Sequence, residues 1–127
     1  MVHDHLQQVC RSHGGMLPEP RSEEENQFLN SLGSDMFTLG MTDREKEGQW
    51  IWDSDQSPVN YSSWYLAQKK PAPNGGTYEN CARMIRRYGG KKTKDNRADW
   101  DDYACYWRSR VPKSLVCQRL PGMWPLL

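Results

Sequence analysis

The cysteines constrain this chain most. Cys10, Cys81, Cys105 and Cys117 form an even set, and no two stand at the C-x-x-C spacing of a zinc ribbon or redox pair. Disulfides are therefore expected. Four cysteines allow three pairings, and spacing alone does not rank them. Two bridges in a chain of 127 residues belong to an oxidising, extracellular compartment. That length holds one hydrophobic core rather than two, so residues 1–127 are expected to form a single domain, with a mobile, Pro-flanked tail over 120–127. The amino terminus, MVHDHLQQVC, lacks the apolar core of a signal peptide. No run approaches the roughly 18 apolar residues of a spanning helix. A secreted mature chain or fragment, with no membrane insertion, is the expectation.

Apolar periodicity predicts two helices followed by strands. Val2, Leu6, Val9, Cys10 and His13 recur at helical steps and stop at Gly14-Gly15, which predicts an amphipathic helix over 2–13. Ser22 is a helix cap with Glu25 as its capping-box partner, and Phe28, Leu29 and Leu32 follow before Gly33. Beyond residue 36, MFTLGM, QWIWD, SPVNYSSW, CARMI, YACYW and SLVCQR are short β-type runs separated by Gly, Pro, Asn and Asp. The layout is α+β. Residues 65–78 and 88–100 are polar spans, and long loops of this kind are usually functional or disordered.

The order of HGGMLPEPRSEEENQFL, LGMTDREKEGQWIWDSDQSPVNYSSW, APNGGTYENC, WDDYAC and SLVCQR resembles the C-type lectin-like domain family, from about residue 4 to 119. The resemblance implies two helices packed on small antiparallel sheets with a long loop region. It also implies bridges Cys10–Cys117 and Cys81–Cys105, worth on the order of 4 to 5 and roughly 3 kcal/mol in the chain-entropy model. Family members usually begin with a further strand or two before the first helix, which this chain lacks. An edge left open by that strand invites pairing with another chain, so a homo-oligomer is one expectation. The aromatic usually found just before Leu39-Gly40-Met41 is displaced to Phe37, with Thr38 in its place.

In this family the long loop holds calcium, which prefers six to eight hard oxygen ligands. Residue by residue, the resemblance carries the ligand positions onto Ala72, Asn74, Glu79, Asp101 and Asp102, with Pro73 as a cis proline. Ala72 has no side-chain oxygen, and Asp101 stands where sugar binders have Asn. The remaining set of Asn74, Glu79, Asp101 and Asp102 keeps three formal negative charges, as the usual set does, so attraction for the ion survives with water in the vacated position. Sugar recognition needs paired acids and amides, since each bound hydroxyl both donates and accepts. Asn74, Glu79 and Asp101 are the candidate ligand-binding residues. Asn74 matches half of the mannose-type signature, which points to mannose- or fucose-type glycans and to innate recognition of microbial surfaces. Asp43 and Glu47 match a second calcium position of some members. Gly75 and Asn80 replace its usual acidic partners, so a solvated turn after a strand is the favoured reading there.

Arg83, Arg86, Arg87, Lys91 and Lys92 begin a basic cluster that extends through Lys94 and Arg97. Such a cluster attracts anionic polymers or acidic proteins, or it offsets the carboxylates at 99–102 when no ion is bound. A calcium-independent binder acting through residues 83–97 is thus the competing function. Net charge is +1, and the cluster lacks interleaved aromatics, which argues against nucleic acid. Trp50 and Trp52 lie two apart, on one face of a strand, and are expected in the core rather than in a sugar platform. Enzymatic chemistry finds little support. His3, His5 and His13 have no orienting acid spaced with them, and Asp101 and Asp102 as strand neighbours point to opposite faces and cannot flank one glycosidic bond. Asn60-Tyr61-Ser62 is a glycosylation sequon, consistent with secretion.

Overall fold

The computed structural model describes residues 2–32, 36–64, 81–85, 87–88, 91–92, 99–104 and 114–119. Helix α1, Val2–Ser12, buries a stripe made of His3 and Cys10, with Leu6, Gln7 and Val9 half-buried between them. The spacing that predicted this helix included His13 in the apolar face. His13 is instead exposed past the helix end, with Nδ1 3.0 Å from the Val9 carbonyl oxygen. Gly14 takes the left-handed conformation, φ +79°, that ends the helix with its N–H on the Arg11 carbonyl.

A short strand that the sequence reading missed then intervenes between the helices: β1, Gly15–Met16, pairs antiparallel with β8, Gln118–Arg119. A Cβ on Gly15 would lie 2.5 Å from the Gln118 carbonyl oxygen, so only glycine permits this approach. The Cys10–Cys117 disulfide spans the same junction, with Cα atoms 5.5 Å apart. Cys81 is disulfide-bonded as well, while Cys105 lies outside the described residues, as does the tail over 120–127.

Helix α2, Glu23–Asn30, starts where predicted. The Ser22 hydroxyl accepts the Glu25 N–H at 3.2 Å. Glu25 reaches back one residue further than a capping box requires, accepting from the Arg21 N–H. The helix ends at Asn30, short of Leu32, which is exposed.

Four strands form the main sheet: β2 (Met36–Thr42), β3 (Ile51–Trp52), β4 (Cys81–Ile85) and β7 (Asp99–Tyr103), in the order β3-β2-β4-β7 and antiparallel throughout. A small ribbon, β5 (Arg87–Tyr88) with β6 (Lys91–Lys92), stands apart from it. The SPVNYSSW run contributes only bridges at Pro58 and Trp64, and β7 reaches into the expected YACYW strand at Tyr103, while residues 105–107 lie outside the described residues.

Registration explains the sheet's two faces. Phe37, Met84 and Trp100 lie side by side and join Leu29, Leu39, Met41, Trp50, Trp52 and Ala82 in the core. Thr38, Arg83 and Asp101 form the next row, on the opposite face. The displaced aromatic thus costs no packing: Phe37 is on the core face, and Thr38 turns away, within 2.7 Å of the Tyr103 hydroxyl. Trp50 and Trp52 are core residues, as expected. Trp64 and Trp52 meet Trp100 edge-on at 5.6 and 6.0 Å, and the buried Trp100 indole N–H donates to Asn26 Oδ1 at 2.8 Å, locking α2 to the sheet.

Candidate functional site

Asp101 and Asp102 lie at the middle of β7, at 5% and 3% exposure. Strand alternation separates them. Asp102 is in register with Ala82 and shares the core face with Trp100, whereas Asp101 is in register with Arg83 on the far face. A single ion that meets both carboxylates must therefore sit beside β7, at the edge away from β4, rather than on either face.

That edge is where the segment with the other two predicted ligands begins, whereas it ends on the other side of β7, at β4. Trp64 bridges to Trp100, with Ser63 accepting the Trp100 N–H at 2.7 Å, and Cys81 pairs with Tyr103. Residues 65–80, Asn74 and Glu79 among them, lie outside the described residues. Their two ends are nevertheless fixed on β7, one on each side of the Asp101-Asp102 pair.

Arg83 is the member of the basic cluster that offsets a carboxylate of the site. Counted by sequence with the basic cluster, it projects onto its cross-strand neighbour: Nη2 donates to Asp101 Oδ2 at 2.9 Å, with side-chain exposures of 19% and 7%. Its guanidinium also lies 5.7 Å from the centre of the Tyr103 ring. Burial pushes the Tyr103 hydroxyl pKa up, against smaller opposing effects of its Thr38 hydrogen bond and the Arg83 charge, so the phenol stays neutral. Of the other basic candidates, Arg87 is in register with Lys92 in the small ribbon, and Arg86 is outside the described residues.

The donor set suits a hard cation in kind, being carboxylates with an amide. Asp101 would share that role with its ion pair to Arg83, which engages Oδ2. Among the described residues no three His, Cys, Asp or Glu side chains converge as a metal cluster.

The second predicted pair does come together. Asp43, just after β2, is 2% exposed, whereas residues 44–49, Glu47 among them, are exposed, so the solvated-turn reading holds for Glu47 and fails for Asp43. Its Oδ2 accepts the Gly48 N–H at 2.9 Å, while Oδ1 is buried without a partner. Burial first, then a hydrogen bond and charge repulsion from Glu47, push its pKa up to about 6. Gly75 and Asn80 are outside the described residues.

One further polar site went unseen in the sequence. His3, buried at 2% exposure, has Nε2 2.6 Å from Asp53 Oδ2, and Gln7 donates to the same oxygen at 2.7 Å. The orienting acid judged missing near the histidines is thus present, fifty residues away in the chain. It anchors α1 to the turn after β3, and no nucleophile accompanies it among the described contacts. A cavity of about 890 Å³ lies elsewhere, with Phe28, Leu29, Arg21, Glu24 and Gln118 in its wall, and its described lining includes neither Asp101 nor Asp102.

The family model described as "Lectin C-type domain" matches residues 1–119. Pulmonary surfactant-associated protein D of Bos taurus is 36% identical over 102 residues, which cover 78% of this chain but only 24% of that protein. Among solved structures, the cow carbohydrate-recognition domain of CD23, determined in the presence of a GlcNAc2Man3 oligosaccharide, superposes with a TM-score of 0.62 at 28% identity, covering 83% of this chain and 71% of that one. A calcium-independent type II antifreeze protein gives the same TM-score at 26% identity, with 83% and 71% covered.

Proposed function

Because the chain belongs to the C-type lectin domain family, we propose that it is an extracellular glycan-binding domain whose sugar site assembles with calcium beside β7. The observation that carries this reading is topological: residues 65–80 leave from Trp64, bridged to Trp100, and return at Cys81, paired with Tyr103. Glu79 stands two residues before that return, and the family pattern supports Asn74 as its partner in the ligand set. Calcium would add open coordination positions that accept vicinal sugar hydroxyls. Glu79 accepts a hydroxyl proton, and the Asn74 amide donates to a hydroxyl oxygen. The similarity to a domain solved with a mannose-containing oligosaccharide supports mannose-type glycans as ligands. The bridge joining Cys10 to Cys117 supports an oxidising, extracellular setting.

A second reading draws on Arg83. Its ion pair neutralises Asp101 without a metal, which favours a calcium-independent mode of binding, as does the likeness to a calcium-independent antifreeze protein. Chromatography on immobilised mannan separates the two. The first reading expects retention in millimolar calcium, release by chelator, and loss of retention in Glu79→Ala, whose melting temperature in chelator stays at the parental value. Retention on mannan that ignores both chelator and Glu79→Ala would replace the first reading by the second.

A further inference from the structure

We propose that Asn60 is a modification site: it carries the chain's single N-linked glycan, on a side chain that the fold holds in water. This rests on the reading of the chain as extracellular, and it concerns residues outside the predicted ligand set.

Asn60-Tyr61-Ser62 is the one N-x-S/T triplet among the chain's six asparagines, and its middle residue is not proline. A triplet this short arises often by chance, so its placement in the fold decides. Val59 and Tyr61, on either side of Asn60, are half-buried and pack against the core. The Val59 N–H donates to the Trp50 carbonyl oxygen at 3.0 Å, and the Tyr61 ring meets Trp100 edge-on at 5.8 Å. The Tyr61 hydroxyl donates to Glu23 at the start of α2. Asn60 and Ser62 alternate with these anchors, and both are exposed. An asparagine with a structural task looks different: Asn26 is 2% exposed and accepts the Trp100 indole N–H.

The surroundings suit a large hydrated group. Strand β3 is an outer strand of the main sheet, and residues 57–59 run beside it, with Ser57 accepting the Trp52 N–H and Pro58 bridged to Ile51. Asn60 follows directly, at the margin of the sheet. Ser54, Asp55 and Gln56, in the turn before that segment, are exposed and polar, so a glycan there meets water and polar groups.

The step is a glycosyl transfer from a lipid-diphosphate-linked oligosaccharide. The Asn60 side-chain nitrogen attacks the anomeric carbon of the donor's first sugar, forming a C–N bond. The C–O bond to the diphosphate breaks, its electron pair leaves with the lipid diphosphate, and the nitrogen gives up one proton. Asn60 supplies the nucleophile, and the Ser62 hydroxyl is the part of the triplet that the transferase reads. Transfer precedes folding, so the fold must afterwards leave the modified side chain outside the core. The exposure of Asn60 between two anchored neighbours meets that demand.

The test is the whole chain secreted from animal cells behind a cleavable signal sequence, then treated with peptide N-glycosidase in heavy-oxygen water. One downward shift on a gel is expected, with heavy-oxygen aspartate at position 60 in the peptide map. Asn60→Gln and Ser62→Ala are expected to lose the shift completely, and Ser62→Thr, which keeps a hydroxyl, to retain it. Should a variant fail to be secreted, the peptide map of the wild type decides. A shift that survives Asn60→Gln would overturn the proposal. So would a chain secreted with Cys10 bridged to Cys117 but with Asn60 unmodified, and that result would leave the extracellular reading standing. A chain held inside the cell with its thiols reduced would overturn both.

Discussion

Asp43 is the residue at which burial, charge and pH meet most directly. Its carboxyl is 2% exposed, and its pKa is pushed up to about 6 from an ordinary value of 3.8. The native state therefore keeps a proton that the unfolded chain has already released. Below the unfolded pKa both states are protonated and the stabilisation is complete. As pH rises from about 4 to about 6 it is lost, by up to about 3 kcal/mol for a shift of this size. Asp43→Asn keeps an oxygen for the Gly48 N–H and cannot ionise. In chelator, urea midpoints of the wild type are expected to fall across that interval relative to the variant, with the difference flat above pH 7. Parallel profiles for the two proteins would show that another group carries the pH dependence.

Among elements, α2 shows how much the sequence tells and where it stops. The Ser22 cap was legible because capping depends on residues three apart in the chain, and the hydroxyl indeed receives the Glu25 N–H. Ser22→Ala is expected to destabilise by about 1 kcal/mol, lowering the melting temperature by about 4 °C. A change below one degree would mean that the Glu25 contact to Arg21 holds the helix start by itself. The alternation of Trp50 and Trp52 was legible for the same reason, being a local period that the pleat converts into one buried face. Long-range pairings were not legible. Nothing local joins His3 to Asp53, β1 to β8, or Arg83 to Asp101; each exists because strand order and register bring distant residues together. Charge counting left Arg83 either in an anion-binding patch or offsetting the carboxylates at 99–102, since composition does not say which face of a strand a residue takes, and its pair with Asp101 is the second of these. The buried Asp43 was hidden likewise, because a Gly-terminated acidic turn looks solvated until its packing is known. In the site itself, sequence order located the β7 carboxylates, and only the fold supplied the counter-ion beside one of them.

At the scale of the molecule, the two ends of the described chain are held together by one covalent and several weak ties. Cys10 is fully buried and bridges 107 residues to Cys117, on the exposed segment beside β8. Around that bridge lie the two residue pairs of β1 and β8, and the Gln118 side-chain oxygen, which accepts the Glu19 N–H at 2.8 Å. A two-residue ribbon is too short to persist by itself in water. The disulfide must therefore carry most of the closure, and a loop of this length is worth on the order of 4 to 5 kcal/mol through the unfolded state. The double variant Cys10→Ala, Cys117→Ala is expected to lose about that much in chemical denaturation. Amide exchange should rise mainly in β1, β8 and the last turn of α1. The β2-β4-β7 ladder should stay protected at low denaturant, because its core row of Phe37, Met84 and Trp100 does not touch the bridge directly and α2 remains tied to Trp100 through Asn26. A loss under 1 kcal/mol, with exchange unchanged at the chain ends, would show that packing of α1 against β1, with His3 held by Asp53, closes the molecule without the bridge.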